Sequence, residues 1–165
     1  MFGNENDHKK YNPKEIDPNA YVHLARIEYK LTQRALFAAM LASQNTYSPY
    51  SKFPVGAAVV TDIGIVYRGC NVENASYGIT LCAERNAITT MIAECGPKAK
   101  IHSVVIYTPT ELPSAPCGAC RQVIREFAKD LNGTMVFSFA IDPKTPPLCK
   151  SVNQLLPDSF GPENL

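Results

Sequence analysis

Apolar positions first settle into a period at Ile27, Leu31, Ala35, Ala38 and Ala42. That spacing of three to four residues predicts a helix ending near Asn45. Pro49 and Pro54 break the next stretch, "TYSPYSKFP", into a loop. "VGAAVVTD" and "IVYRGC" read as two strands joined by a short turn at 62–64, and "NVENASYGIT" as a polar loop. A second helix is predicted over about 82–94, closed by Gly96 and Pro97. "HSVVIYT" reads as a strand, and the proline-rich "PTELPSAP" leads into a third helix over about 117–129. "TMVFSFAID" is a further strand, and "SVNQLLPDSFGPENL" gives a short helix and an ordered tail. Strands alternating with helices imply an α/β domain whose helices cover a mixed sheet.

Ahead of this pattern the chain is polar, with Pro13 and Pro18 and little periodicity. It divides into an expected mobile extension, 1–26, and one folded domain, 27–165, of a length that supports a sizeable core. With 45% hydrophobic and 19% charged residues the balance is globular. The net charge of +1, without a run of lysines and arginines, argues against a nucleic-acid partner, whose phosphates call for a basic surface. No stretch has the roughly eighteen consecutive apolar residues of a membrane span, and the N-terminus lacks the apolar core of a signal peptide. A cytoplasmic protein with reduced thiols is therefore expected. The cysteines at 70, 82, 95, 117, 120 and 149 then read as metal ligands or buried thiols rather than disulfides.

Two stretches concentrate the chemistry: "LCAERNAI" at 81–88 and "PCGACRQVI" at 116–124, each at a predicted helix start. Cys82, Cys117 and Cys120 offer three thiolates, while His8, His23 and His102 are scattered. Three protein ligands on zinc leave one coordination position open, and Glu84 stands two residues along from Cys82. A site of that kind activates water. Three thiolates on Zn2+ give a net negative centre; helix N-termini would offset that charge. Arg85 and Arg121 would donate hydrogen bonds to the sulfurs and so adjust the acidity of the metal. Two alternatives stay in view. Taken alone, "CGAC" also resembles a thioredoxin-like redox pair, which leaves Cys82 and Glu84 without a role. A structural zinc site would draw a fourth ligand from Cys70, Cys95 or Cys149, which otherwise read as buried thiols.

"CAERNA" followed by "PCGACRQV" resembles the zinc-dependent cytidine deaminases, in the small homotetrameric form with cysteine where others carry histidine. "YSPYSKFPVGAAV", "GCNVENASYG" and "LLPDSFGP" resemble further segments of that family, so the likeness spans roughly residues 31–165. It implies a three-layer α/β/α sandwich around a mixed central sheet. It also implies one Zn2+ per subunit on Cys82, Cys117 and Cys120, with Glu84 as the proton shuttle for attack of zinc-activated water at C4. Cytidine and 2'-deoxycytidine would be hydrolysed to uridine and 2'-deoxyuridine plus ammonia, in pyrimidine salvage. By the same resemblance Phe53 lines the nucleoside pocket, Asn71 and Glu73 hold the ribose hydroxyls, and the Ala83 amide binds the pyrimidine carbonyl. Tyr77 and Phe160 would complete the pocket of a neighbouring subunit in the homotetramer. Read as chemistry, the anion at Glu73 favours a free nucleoside over a nucleotide. Left without the resemblance, Asn71 and Glu73 read equally as turn caps, and Phe53 and Phe160 as core aromatics.

Overall fold

The computed structural model describes residues 18–165. The first helix, α1 (Pro18–Ser43), buries a face of small residues, with Ala35, Ala39 and Ala42 shielded from solvent. Small side chains let the helix lie close to the sheet, most tightly at Gly56. A Cβ at Gly56 would overlap the Ala39 carbonyl, so any larger residue would force helix and strand apart. The helix starts at Pro18, not at Ile27, so the boundary drawn from the apolar period falls inside one element. Proline fits the first helical position, where its missing N–H has no intrahelical partner. The remainder of the expected extension, 1–17, lies outside the described residues.

Five strands form one sheet: β1 (Gly56–Thr61), β2 (Val66–Cys70), β3 (Ile101–Tyr107), β4 (Met135–Phe139) and β5 (Leu148–Ser151), in the order β2-β1-β3-β4-β5. β1 pairs antiparallel with β2 and β3, β3 runs parallel to β4, and β5 returns antiparallel. The sheet is thus mixed, as the alternation of strands and helices implies. On one face Ala58, Val60 and Val105 pack against α1; on the other Ala57, Val59, Val104 and Ile106 pack against α2 (Ala83–Cys95) and α3 (Gly118–Phe127). β1 is buried along its whole length because both of its faces are covered. Ile88 and Met91 of α2 are among the largest buried side chains; burying each contributes about 1.5–3 kcal/mol by transfer from water. The result is the three-layer α/β/α sandwich.

Two details bear on the site. Gly56 stands opposite both Cys70 and Tyr107, so the start of β1 and the ends of β2 and β3 meet at one edge of the sheet. The loops leaving β2 and β3 lead there into α2 and α3, bringing both helix N-termini to that edge. The short α4 (Val152–Leu155) is closed by a capping box between Ser151 and Gln154 and follows directly on β5. β5 itself is absent from the sequence pattern. It is a four-residue strand in which Cys149 and Lys150 stay exposed, so it has no apolar alternation to read.

Candidate metal centre and its pocket

Cys82 and Cys117 are the N-cap residues of α2 and α3, both extended, with ψ of 155° and 165°. An N-cap lies just outside the helical turn, which sets its side chain beside the unpaired N–H groups and positive end of the helix. Cys120 follows Cys117 by three residues, the spacing that puts two side chains on one face of a helix. Together the three Sγ atoms lie within 4.8 Å of one another, with Cys82 and Cys117 4.0 Å apart. Zinc–sulfur bonds of about 2.3 Å in a tetrahedron require sulfurs about 3.8 Å apart. The cluster fits Zn2+ with three thiolates, one ion per subunit. Among the described residues Cys70, Cys95 and Cys149 are not part of it, which removes the four-cysteine structural site.

The thiols are electrostatically unequal. A hydrogen bond from the Cys120 thiol and then the Arg85 guanidinium bring Cys82 down to about 5, whereas Cys120 is pushed up by its bond to Cys82, by burial and by Glu84. Arg85 donates to Cys82 Sγ at 3.5 Å and to the Thr80 carbonyl at 2.6 Å, the contact expected of it. Arg121 behaves differently. Its Nε donates to the Pro116 carbonyl at 2.8 Å and its Nη1 to the Leu155 carbonyl at 3.0 Å, with no bond to a sulfur. The expectation of a second sulfur-bonded arginine is corrected accordingly: Arg121 is drawn to backbone oxygens on the loop before Cys117 and at the end of α4.

Glu84 sits in the first turn of α2 and is only 5% exposed. Burial pushes its carboxyl above the ordinary value, against the opposing pull of its backbone N–H, the Cys120 thiol and Arg85. A shift in this direction favours the protonated form of the carboxyl, which suits a group that must both take and give a proton.

Beside the cluster lies a cavity of about 230 Å³ lined by Phe53, Asn71, Glu73, Cys82, Ala83, Glu84 and Cys117 among others. Six of the residues expected at the substrate or proton-transfer site, or as metal ligands, therefore share one cavity with Cys117. The Asn71 amide is already engaged: its Oδ1 accepts from Val55 N at 2.8 Å and its Nδ2 donates to the Phe53 carbonyl at 3.0 Å. One hydrogen and one lone pair remain available for a ligand. Glu73 Oε2 accepts from the backbone N–H groups of Tyr50 and Ser51 at 2.9 and 3.2 Å. The Ser51 hydroxyl first, then those amides and Lys52, hold its carboxyl below the ordinary value. Both residues thus brace the 50–55 segment as well as face the cavity.

Tyr77 and Phe160 do not line this cavity. Tyr77 is 75% exposed and lies in an adjoining hollow with Tyr50, its ring 6.0 Å away; Phe160 is 61% exposed. Of the remaining cysteines, Cys70 donates to the Asn45 carbonyl, Cys95 contacts the Tyr67 hydroxyl at 2.9 Å, and Cys149 is exposed. None is a buried thiol as expected, since each lies at or near an end of a helix or strand rather than under one.

The pattern missed part of the wall. Ile106 and Thr108 at the end of β3, and Ser114 and Ala115 on the proline-rich loop, also line the cavity. The carboxyl end of a strand next to a parallel neighbour is a common ligand position, the one signal that could have found Thr108.

Comparison with known proteins is consistent with this geometry. A family model described as the cytidine and deoxycytidylate deaminase zinc-binding region matches residues 30–135. The chain is similar to a cytidine deaminase of Sporosarcina psychrophila, 44% identical over 124 residues, covering 75% of this chain and 87% of that protein. A cytidine deaminase of Halalkalibacterium halodurans is 37% identical over 133 residues, covering 81% and 96% respectively. Among solved structures, the cytidine deaminase from Burkholderia pseudomallei matches with a TM-score of 0.69 at 41% identity, covering 78% of this chain and 98% of that one.

Proposed function

The chain belongs to the cytidine and deoxycytidylate deaminase family, and from that premise we propose that it hydrolyses cytidine, and 2'-deoxycytidine, to the corresponding uridine nucleoside and ammonia. The observation that carries the reading is a buried carboxyl, Glu84, facing the same cavity as a three-thiol cluster that fits Zn2+. Cys82, Cys117 and Cys120 would hold Zn2+, which would supply Lewis-acid activation of the attacking water.

The chain's own groups do the rest. The Glu84 carboxylate takes one proton from the attacking water and delivers it to N3 of the ring, making C4 electrophilic. It then carries the second proton from the new C4 hydroxyl to the amino nitrogen, so that ammonia leaves and the C4 carbonyl forms. One carboxyl suffices because each proton it gives is one it has just received. The Ala83 amide, at the positive start of α2, binds the pyrimidine carbonyl. Phe53 packs against base and sugar, while Asn71 and Glu73 take the ribose hydroxyls with their remaining hydrogen-bonding capacity. An ionised Glu73 in the cavity lining repels a phosphate, so the substrate is a nucleoside. Arg85 stabilises the Cys82 thiolate, and Arg121 braces the turn that presents Cys117.

The catalytic unit expected over 27–165 extends back along α1 to Pro18, and residues 1–17 precede it. The protein works as a cytoplasmic homotetramer in pyrimidine salvage, with Tyr77 and Phe160 closing a neighbour's pocket; their exposure outside their own cavity supports this. No helix among the described residues is long and apolar enough to cross a membrane. The test is the near-ultraviolet absorbance of cytidine incubated with zinc-loaded and metal-stripped protein. Conversion to uridine by the zinc-loaded form alone is expected; no conversion by protein shown to hold zinc would overturn the proposal.

A further inference from the structure

A buried arginine outside the metal site is wholly directed at the C-terminal tail. Arg125, on α3, is 3% exposed. Its Nε donates to Ser159 Oγ at 2.8 Å and its Nη2 to the Ser159 carbonyl at 3.2 Å, and the same Nη2 pairs with the Glu163 carboxylate. Gly161 lies flat against the guanidinium, so close that a Cβ there would overlap it. One turn earlier on α3, Gln122 Nε2 donates to the Phe160 carbonyl at 3.1 Å. Asp158, just before this segment, adopts a left-handed backbone conformation at φ 51°. A buried guanidinium is costly to desolvate, and a fork of donors fixed on one short peptide compensates with directional, charge-assisted bonds.

Between the clamped residues 159 and 161 stands Phe160. Its backbone is held on both sides, yet its ring is 61% exposed and outside its own chain's cavity. We infer that Arg125 is a positioning residue: it fixes the 159–163 segment on α3 so that Phe160 is presented, in one orientation, to the nucleoside pocket of a second copy of this chain. This rests on the reading of Phe160 given above. Because α3 is also capped by Cys117 and includes Cys120, one helix then sets a subunit's own metal site and a wall of its neighbour's pocket.

The test is a double-mutant cycle on the zinc-loaded protein, reading KM and kcat for cytidine, zinc content and oligomer mass. Arg125→Lys keeps the charge and loses the fork; Glu163→Gln weakens the clamp at an exposed residue and serves if Arg125→Lys does not fold. Each is made in the natural and in the Phe160→Ala background. The expected result is a KM raised about threefold to tenfold in the natural background, with kcat, zinc and mass unchanged. In the Phe160→Ala background the same substitutions change KM no further, since coupled residues are non-additive. If Phe160→Ala raises KM but neither clamp variant does, the clamp is refuted and the reading of Phe160 stands. If Phe160→Ala leaves KM unchanged, that reading fails and the inference with it. Equal losses of kcat and zinc in both backgrounds would make Arg125 a stabiliser of α3 only, which also overturns it.

Discussion

The first turns of α2 and α3 look interchangeable in sequence. Each opens on an N-cap cysteine in extended conformation, each faces the same cavity, and each carries an arginine directly after a functional residue, Arg85 after Glu84 and Arg121 after Cys120. In space they differ. Arg85 reaches back to a sulfur, so the α2 turn joins a thiolate, its cation and a buried acid in one electrostatic unit. Arg121 reaches outward to the carbonyls of Pro116 and Leu155, so the α3 turn is fastened to the loop before it and to α4. The same residue at the same motif position does different work because of what lies beyond it. Thr80 and Cys82 are within reach of one arginine; the other meets two carbonyls first.

That contrast can be tested by removing its parts in turn. Cys117→Ala leaves two thiols for the metal, and both zinc and cytidine turnover should fall to background in metal analysis and rate assays; full zinc retention would mean that the α3 turn does not hold the metal. Glu84→Gln should keep zinc while kcat falls by about 10²–10⁴-fold, the usual contribution of a positioned acid–base group. Near-normal turnover in that zinc-loaded variant would take the acid out of the α2 unit. Arg85→Ala should cost about 10–100-fold in zinc affinity or in turnover per bound zinc, as loss of a ligand's hydrogen-bond partner does. Arg121→Ala should instead lower stability by about 1–3 kcal/mol, because two carbonyls lose their donor, with turnover per bound zinc largely retained. Denaturant melts and per-zinc rates on the pair distinguish the two roles, and an exchange of their effects would erase the difference drawn here.

The smallest expected effect concerns pH and the tail bound to α3. The Arg125 guanidinium, foremost, holds the Glu163 carboxyl below its ordinary value of 4.5. A carboxyl depressed in the folded state adds stability that is fully present above its unfolded pKa and is lost as pH falls through the folded one. Thermal midpoints of the natural protein should therefore drop a little more between pH 7 and strongly acid solution than those of Glu163→Gln. Parallel curves for the two proteins would show that the pair contributes nothing measurable, as solvent screening at an exposed carboxylate allows.

Much of this is legible in the sequence. Strands β1 to β4 and helices α2 and α3 announce themselves because buried strands and amphipathic helices force apolar residues into register with the backbone. The three thiols and Glu84 were legible because metal ligation and proton transfer admit few residue types at few spacings. What escaped depends on neighbours distant in sequence. Arg121 bonds Leu155, 34 positions away, and nothing near Arg121 foretells it. β5 exists because β4 offers an edge, and its own residues are half exposed. The start of α1 was hidden by Pro18, which reads as a breaker although it occupies the one helical position that tolerates it. Cys149 was expected to be a buried thiol; its exposure follows from its place on an edge strand.

The close approaches at Gly56 and Gly69 limit any attempt to redesign the enzyme for bulkier bases. A Cβ at Gly69 would collide with the backbone of α2 around Ala83 and Ala87, just as one at Gly56 would strike α1. The β-hairpin is gripped from above and below at these two backbone contacts, and Val55 and Asn71, which line the cavity, are each within two residues of a gripped position. That part of the lining has no slack to give. Space for a larger ring is more readily made at Ser114 and Ala115, which also line the cavity, by changing side chains rather than loop length, since the ligand Cys117 follows two residues on.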